Sequence, residues 1–448
     1  MSVGFDTPST TRSGKIVLAQ HGAISTDIRL AGAAISPGWL IRSLLLGAVF
    51  LLLWISFVPF PDRSLPPEIT EQGSVVNQIG YSLLFVVLAA WCIVHEPARL
   101  LPLMRPTLIV MLLWLAMSVA ASSDPSLSAR RLMFTLLTIG FAAIVLLLPR
   151  NARHFGDVLA AVTLIVLAAC YIGVFIAPTF SIHQPTDFTE TELAGDWRGI
   201  FGHKNEASAA MVLFVFIGLF IARMRSVAVG LLIVALSFVF LIFTHSKTSI
   251  LMLPLTLAVA ALLPRIRRPF VGVAFALSIV IGVNLFSVGS IYIEPIRNLL
   301  DATMADPSFT GRTDIWEFAI SRLAQHPIVG YGFAAFWNTP EVIYGMKDNW
   351  ANTASHAHNG YLDLAITIGI PGAILVVVWL IVLPILDFYR SPHDAAVAPL
   401  ETLFLRVCLF AAYASCFESR LLQEGTDGFF LFTAAFGLRL LSVSRAAT

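Results

Sequence analysis

The stretch EASAAMVLFVFIGLFIARMRSVAVGLLIVALSFVFLIFTHSKTSILMLPLTLAVAALLPRIRR, residues 206–268, decides the fold. It holds three apolar runs, 206–222, 226–244 and 249–263, joined by very short connectors. Each run is near the length a helix needs to cross the hydrocarbon core of a bilayer, roughly 17–25 residues. A segment in hydrocarbon must satisfy its own backbone hydrogen bonds, so runs of this kind are helices. The connector Arg223-Met224-Arg225 and the segment Pro264-Arg265-Ile266-Arg267-Arg268 are dense in arginine, which marks them as cytoplasmic. The turn between them, His245-Ser246-Lys247-Thr248-Ser249, then faces outward.

The same pattern extends in both directions. Further apolar runs lie near 38–58, 76–94, 107–121, 132–148, 157–177, 270–289, 360–386, 402–417 and 427–443, making twelve predicted spans. The chain of 448 residues is 57% hydrophobic and only 12% charged, against roughly a quarter charged in soluble domains. The fold class is therefore an all-α polytopic membrane protein. Residues 1–37 read as a polar, disordered cytoplasmic tail without a cleavable signal, and 38–443 as one transmembrane unit. Twelve spans place both termini in the cytoplasm, with outer loops at about 178–205 and 290–359. A net charge of +1 gives no electrostatic footprint for nucleic acid. The four cysteines all fall in apolar runs and read as small core residues.

The polar residues that remain concentrate in those outer loops. The larger one holds a polar island from Pro307 to Asn359. Several cations sit at outer membrane boundaries, where the positive-inside rule should deplete them: Arg130 and Arg131, Arg198 and Lys204, and Lys247. One such cation reads as snorkelling to lipid phosphate; the set points to an anionic ligand. In Arg198-Gly199-Ile200-Phe201-Gly202-His203-Lys204-Asn205 the glycines allow tight backbone and a helix N-terminus follows. Arginine supplies a planar fork for phosphate oxygens and lysine a point charge. Asn205 reads alternatively as a helix N-cap, and Thr248 or Ser249 as the cap of the next helix.

Gly311-Arg312-Thr313-Asp314-Ile315-Trp316-Glu317 opens an amphipathic stretch with Ile315, Trp316, Ala319, Ile320 and Leu323 on one face. It reads as an interfacial helix anchored in the membrane by Trp316, with Arg312 as a candidate site residue just before it. His356-Ala357-His358-Asn359 stands at the mouth of the tenth span. Histidines two apart do not share a helix face, and no third ligand lies at a useful spacing, so a metal site is not supported. His358 is a candidate general base. Asn359 suits a helix cap. Asp363 reads either as orienting a histidine or as lining a polar face. Glu418 and Arg420 read as a structural pair near an outer end. No ladder of Asp, Glu or His crosses the spans, which argues against a proton-coupled transporter.

Taken together these stretches resemble the bacterial O-antigen ligase and Wzy-type polysaccharide polymerase family. His358-Asn359, nine residues, then Gly369-Ile370-Pro371-Gly372 is similar to the ligases' His-Asn-x9-Gly-x-x-Gly signature. Arg198-Gly199 resembles the family's arginine-glycine motif. Ser246-Lys247-Thr248 stands where the family often has Ser-Arg. Gly311-Arg312-Thr313-x-x-Trp316, His326-Pro327-x-x-Gly330-x-Gly332 and Ser123-Asp124-Pro125-x-x-Ser128-x-x-Arg131 are similar to further family motifs. The run from Arg198 to Asn205 is most like ExoQ-type exopolysaccharide polymerases.

The resemblance implies a metal-independent, inverting glycosyltransferase without cofactors, acting at the periplasmic face of the bacterial inner membrane. Its donor would be an undecaprenyl-diphosphate-linked glycan and its acceptor another glycan, or lipid A-core in a ligase. Membrane lipids and a chain-length regulator are the implied partners. Arg198, Lys247, Arg312, Lys204 and Arg131 would hold the diphosphate and His358 would be the base. Gly199, Asn205, His356, Asn359, Asp363 and Trp316 would support them. Polymerase and ligase differ only in acceptor. A flippase of lipid-linked sugars is the reading from another class; it requires polar residues in mid-span.

Overall fold

A computed structural model describes residues 37–55, 60, 63–64, 75–188, 190–303, 306, 308–309, 311–337, 339, 342, 354–422 and 426–446. The expectation of a disordered tail falls outside these residues, as do Pro307 and most of 338–353. Every long element among the described residues is a helix. In chain order they are α1 (Pro37–Ile55), α2 (Val75–His95), α3 (Pro106–Ala120), α4 (Pro125–Val145), α5 (Ala152–Ile176), α6 (Lys204–Met224) and α7 (Val227–Phe243). There follow α8 (Lys247–Leu262), α9 (Pro269–Phe286), α10 (Glu294–Thr303), α11 (Arg312–Leu323), α12 (Gly360–Arg390), α13 (Ala398–Ala414) and α14 (Thr426–Ala446).

The twelve apolar runs coincide with all of these helices except α10 and α11. By length and composition, eight are able to cross a membrane. A ninth arises if 97–103 and α3, bent by 78°, are one broken span, whereas α7 and the apolar part of α14 are shorter. The chain is an all-helical, multi-pass membrane protein.

Local chemistry sets the helix starts. Proline stands at the beginning of α3, α4 and α9, where its missing N–H costs nothing. Asp124, Asn151 and Ser226 cap α4, α5 and α7 by accepting from backbone N–H groups. Asp124 starts α4 well before the expected residue 132, so Arg130 and Arg131 lie inside a helix rather than at its mouth. The central helix is α6, buried along nearly its whole length. It meets α7 closely, because a Cβ on Gly218 would lie 2.8 Å from the Gly230 carbonyl oxygen.

One break positions the polar end of the bundle. Gly369 adopts φ 74°, ψ 166° inside α12, with Pro371 just after it. The break frees carbonyls that a continuous helix would have used, and other groups take them. Tyr331 N–H donates to the Ile366 carbonyl at 2.9 Å, Gly332 N–H to Thr367 at 2.9 Å, and Trp114 Nε1 to Ile368 at 2.9 Å. In return Ile370 N–H donates to the Pro327 carbonyl at 2.9 Å. A Cβ on Gly369 would sit 1.9 Å from the Ile328 oxygen. The His326–Gly332 and Gly369–Gly372 motifs are thus two sides of one backbone clasp.

Loop 330–336 is fastened from α4 as well. Ser128 Oγ donates to the Phe333 carbonyl at 2.7 Å, and Arg131 Nη1 donates to Ala334.

Above the clasp lies a second small core: Ile315, Trp316, Ala319, Phe336, Trp337 and neighbours. Trp316 is fully buried there. This overturns its reading as a membrane anchor: α11 turns its apolar face onto the mouth of α12, not onto lipid. At the opposite end of the bundle, Asp387 is buried against Arg105 at 2.5 Å and Glu401 against His393 at 2.8 Å.

Candidate active site

Four helix N-termini converge at the end of the bundle that carries loops 178–205 and 290–359: those of α6, α8, α11 and α12. Asn205, in the first turn of α6, accepts from Ser246 Oγ at 3.3 Å; Ser246 immediately precedes α8. Asn205 Nδ2 donates to Glu418 Oε1 at 3.0 Å. Arg312, the first residue of α11, reaches the same Oε1 at 3.5 Å and the Phe417 carbonyl at 2.8 Å. His358, just before α12, has Nδ1 3.9 Å from Glu418 Oε2.

The first residue of three of these helices is a cation: Lys204, Lys247 and Arg312. A helix N-terminus already carries partial positive charge and favours anions. Stacking cations on that potential costs free energy unless an anion is bound. The resident carboxylates, Glu418 and Asp196, offset part of it. Lys247 is exposed and has no hydrogen-bond or ionic partner among the described residues.

His358 is held from both sides. Before it, the Ala357 carbonyl accepts from Trp316 Nε1 at 2.8 Å and Ala357 N–H donates to Asp363 Oδ1 at 2.9 Å. After it, Asn359 caps α12, accepting from Tyr361 N–H at 3.1 Å and Leu362 N–H at 3.0 Å. Asn359 Nδ2 then donates to Asn284 at 2.7 Å and to the Cys416 carbonyl at 3.0 Å. Between these anchors His358 is forced to φ 48°, a left-handed geometry costing about 1–3 kcal/mol for such a residue. Its ring remains 24% exposed and packs on His356 at 4.1 Å. Burial, reinforced by His358, pushes His356 down to about 3, so its ring is neutral at ordinary pH. Burial alone would raise the Glu418 carboxyl. His358, Arg312 and Arg420 outweigh that and hold it well below the usual carboxylate range.

Asp363 does not orient a histidine ring. Its carboxylate is consumed by Ala357 N–H, by Trp337 Nε1 at 2.7 Å and by Ser419 Oγ. The carboxylate facing His358 is Glu418, which the sequence alone pairs structurally with Arg420. A carboxylate at the mouth of an apolar run was the available signal.

The second flank is built by residues 183–205 and the α7–α8 turn. Arg198 is only 1% exposed. It lies under the loop, with Nη1 3.5 Å from the Phe201 carbonyl, whereas Lys247 is exposed. Gly199, at φ 60°, lets the chain turn there; a Cβ would meet Cys170 Sγ at 2.8 Å. Arg198 and Gly199 N–H both donate to the Ser181 carbonyl at 2.9 Å.

His203, not Asn205, caps α6, accepting from Asn205 N–H at 3.1 Å. Neither Thr248 nor Ser249 caps α8: Ser246 holds the cap position, and Ser249 Oγ instead meets Ser208 Oγ at 2.7 Å. The other nitrogen of His203 lies 3.2 Å from Glu190, which is also 3.4 Å from Arg63. His203, then Arg63, draws Glu190 down to about 2. Asp196 takes Lys204 Nζ on one oxygen and His245 Nδ1 on the other, each at 2.6 Å. Arg131 is brought to the Ala334 carbonyl rather than to this cluster.

Beside the site an apolar groove of about 460 Å³ runs between α9 and α10, lined by Ile279, Val283, Phe286, Leu300 and Phe417. Phe417 adjoins Glu418. Among the described residues no three His, Cys, Asp or Glu side chains are grouped to hold a metal ion.

A multi-pass helical bundle with a cluster of cations and histidines at one end is thus the class that fold and site define. Residues 232–377 match the O-antigen ligase family model. The matched stretch contains Lys247, Arg312, Trp316, His358, Asn359 and Gly369, but neither Arg198 nor Glu418. Over 119 residues the chain is 34% identical to a protein of Rickettsia felis named as a polysaccharide ligase. A counterpart in Rickettsia conorii is 32% identical over 119 residues. Over 128 residues it is 27% identical to the exopolysaccharide production protein ExoQ of Rhizobium meliloti, covering 28% of each. The Rickettsia alignments span 25% of this chain and 29% of the relatives.

Proposed function

We propose that the protein is a glycosyltransferase that extends or transfers glycans carried on undecaprenyl diphosphate. The observation that carries this reading is the convergence of four helix N-termini, three opening with a cation, around His358 and Glu418. Such a site suits a diphosphate whose charge grows as the glycosidic bond breaks; fixed cations and helix ends stabilise that charge electrostatically. Lys247, Arg312 and Lys204 face the diphosphate, and Arg198 supports them from beneath the loop. The groove beside Phe417 takes the start of the polyprenyl chain. His358, polarised by Glu418, removes the proton of the acceptor hydroxyl as its oxygen attacks the anomeric carbon. One displacement inverts that centre. The site faces the periplasm, both termini the cytoplasm, as arginine in connectors such as 223–225 and 264–268 indicates.

The acceptor in this reading is a second lipid-linked glycan, which makes the protein an exopolysaccharide or O-antigen polymerase. The likeness to ExoQ supports that choice. The likeness to the Rickettsia proteins favours the second reading, ligation to lipid A-core. The test is purified protein with undecaprenyl-diphosphate oligosaccharide in EDTA, with and without lipid A-core. Longer lipid-linked glycans support polymerase. Glycan appearing only on lipid A-core establishes ligase. Unchanged donor in both arms sinks the transferase reading.

A further inference from the structure

Two histidines at this site sit in left-handed backbone, and the mechanism above uses only one. His245, at φ 49°, closes the α7–α8 turn. Its Nδ1 is 2.6 Å from Asp196 Oδ1, and its side chain is 63% exposed. Asp196 is itself fixed, since its other oxygen holds Lys204 at 2.6 Å. The Asp196 loop is pinned to the same turn: Trp197 N–H donates to the Phe243 carbonyl at 3.0 Å, and the two rings stack at 4.4 Å. A turn closing two helices needs none of this; Asn or Gly would adopt the geometry at less cost. A carboxylate on one ring nitrogen fixes the ring's orientation and leaves the other nitrogen facing outward.

The two imidazoles differ in surroundings. His358 faces Glu418 beside the mouth of α12. His245 lies between Lys204, which shares its aspartate, and Lys247, two residues along. The cationic flank is where an anion is held. We propose that His245, oriented by Asp196, is the acid of the transfer: protonated, it donates from Nε2 to the oxygen of the departing diphosphate. This rests on the glycosyltransferase reading.

The step balances. The acceptor hydroxyl gives its proton to His358 and its oxygen forms the new bond to the anomeric carbon. The anomeric carbon–oxygen bond breaks, its electron pair goes to the diphosphate, and that oxygen takes the proton from His245. Solvent then removes a proton from His358 and returns one to His245, so the cycle consumes none.

Two substitutions separate this role from a structural one. His245→Asn accepts left-handed backbone and places an amide N–H near the Nδ1 position toward Asp196, but has nothing at Nε2. His245→Gln places an amide at the outward position without a transferable proton. We expect kcat for glycan extension to fall about 100-fold in the asparagine variant and about tenfold or more in the glutamine variant, with KM for the lipid-linked donor within about threefold of wild type. Thermal midpoints in detergent should match wild type. Wild-type kcat in either variant would overturn the proposal, as would a raised KM at unchanged kcat, which would make His245 a binding group only. If asparagine lowers the midpoint, the glutamine variant decides alone by the same criteria. Failure of the wild type to consume donor, with or without lipid A-core, would overturn the transferase reading instead.

Discussion

The two flanks of the site hold their histidines by different means. His358 is locked by packing and backbone geometry: the buried Trp316 indole, the Asp363 carboxylate on the Ala357 N–H, the Asn359 cap and the glycine clasp at 330–332 and 369. His245 and the loop over Arg198 are held by charge: Asp196 with Lys204 and His245, and Glu190 with His203 and Arg63. On the same loop neutral His183 is hydrogen-bonded to buried Asp187 at 2.9 Å. A packed scaffold keeps one geometry as salt changes. Partly exposed ion pairs are weaker and are screened. The difference separates a fixed half, where the acceptor proton is taken, from an adjustable half that meets a charged, mobile headgroup.

The sharpest way to break the comparison is at His358. His358→Ala should lower turnover by about 1,000-fold while donor binding stays near wild type, because the base is lost and the cationic flank is untouched. Assaying binding of undecaprenyl diphosphate and glycan extension on the same preparation checks this. Turnover near wild type would remove His358 as base.

Next in size is the clasp. Gly369→Ala places a methyl 1.9 Å from the Ile328 oxygen at a positive φ. It should cost about 3 kcal/mol in unfolding free energy, from strain and overpacking together. Denaturation in detergent micelles measures it. A loss below about 0.5 kcal/mol, the range of ordinary surface changes, would mean that α12 does not break against loop 326–332.

Much of this architecture is legible in the sequence. The positions of the twelve apolar helices follow from hydropathy alone, because hydrocarbon dictates composition residue by residue. The Asn359 cap is legible as well, being local. The misreadings share a physical cause: they depend on what comes from far along the chain. Trp316 next to a membrane reads as an anchor until Ala357 and Phe336 cover it. Asp363 one turn from His358 reads as its partner until Trp337 and Ser419 claim its oxygens. Glu418 has no local motif and acquires its place only when α11, α6 and α12 meet around it. His203 caps α6 because an imidazole nitrogen accepts as an amide oxygen does, which residue preferences for caps overlook.

On the charged flank, Lys247 separates point charge from fork. Lys247→Ala should raise KM for the lipid-linked donor about tenfold. Lys247→Arg should stay within about threefold of wild type, since the charge is kept and the guanidinium fork suits phosphate oxygens. Steady-state kinetics at low and high salt test it. The alanine effect should shrink as salt rises, because the interaction it removes is solvent-exposed. No change in KM would leave Lys247 as a solvated surface lysine.

The smallest effect concerns acid. Burial lowers His183 to about 4 and His356 to about 3, so each is neutral in the fold but takes a proton in the unfolded chain near 6.5. Between those values the unfolded state binds more protons. Stability is therefore full above pH 6.5 and falls as pH drops through 4 toward 3. Glu190, held at about 2, adds a lower window: its contribution is present above about 4.5 and lost as pH falls toward 2. The glutamate is substantially exposed, so its share is discounted for solvent screening. Thermal midpoints at pH 7.5, 5 and 4 should decline in the wild type by several degrees. His183→Gln should remove the part belonging to the charged flank and leave the His356 part in place. A decline unchanged in His183→Gln would mean that the charged flank does not loosen first, and the contrast between a fixed and an adjustable half would fail with it.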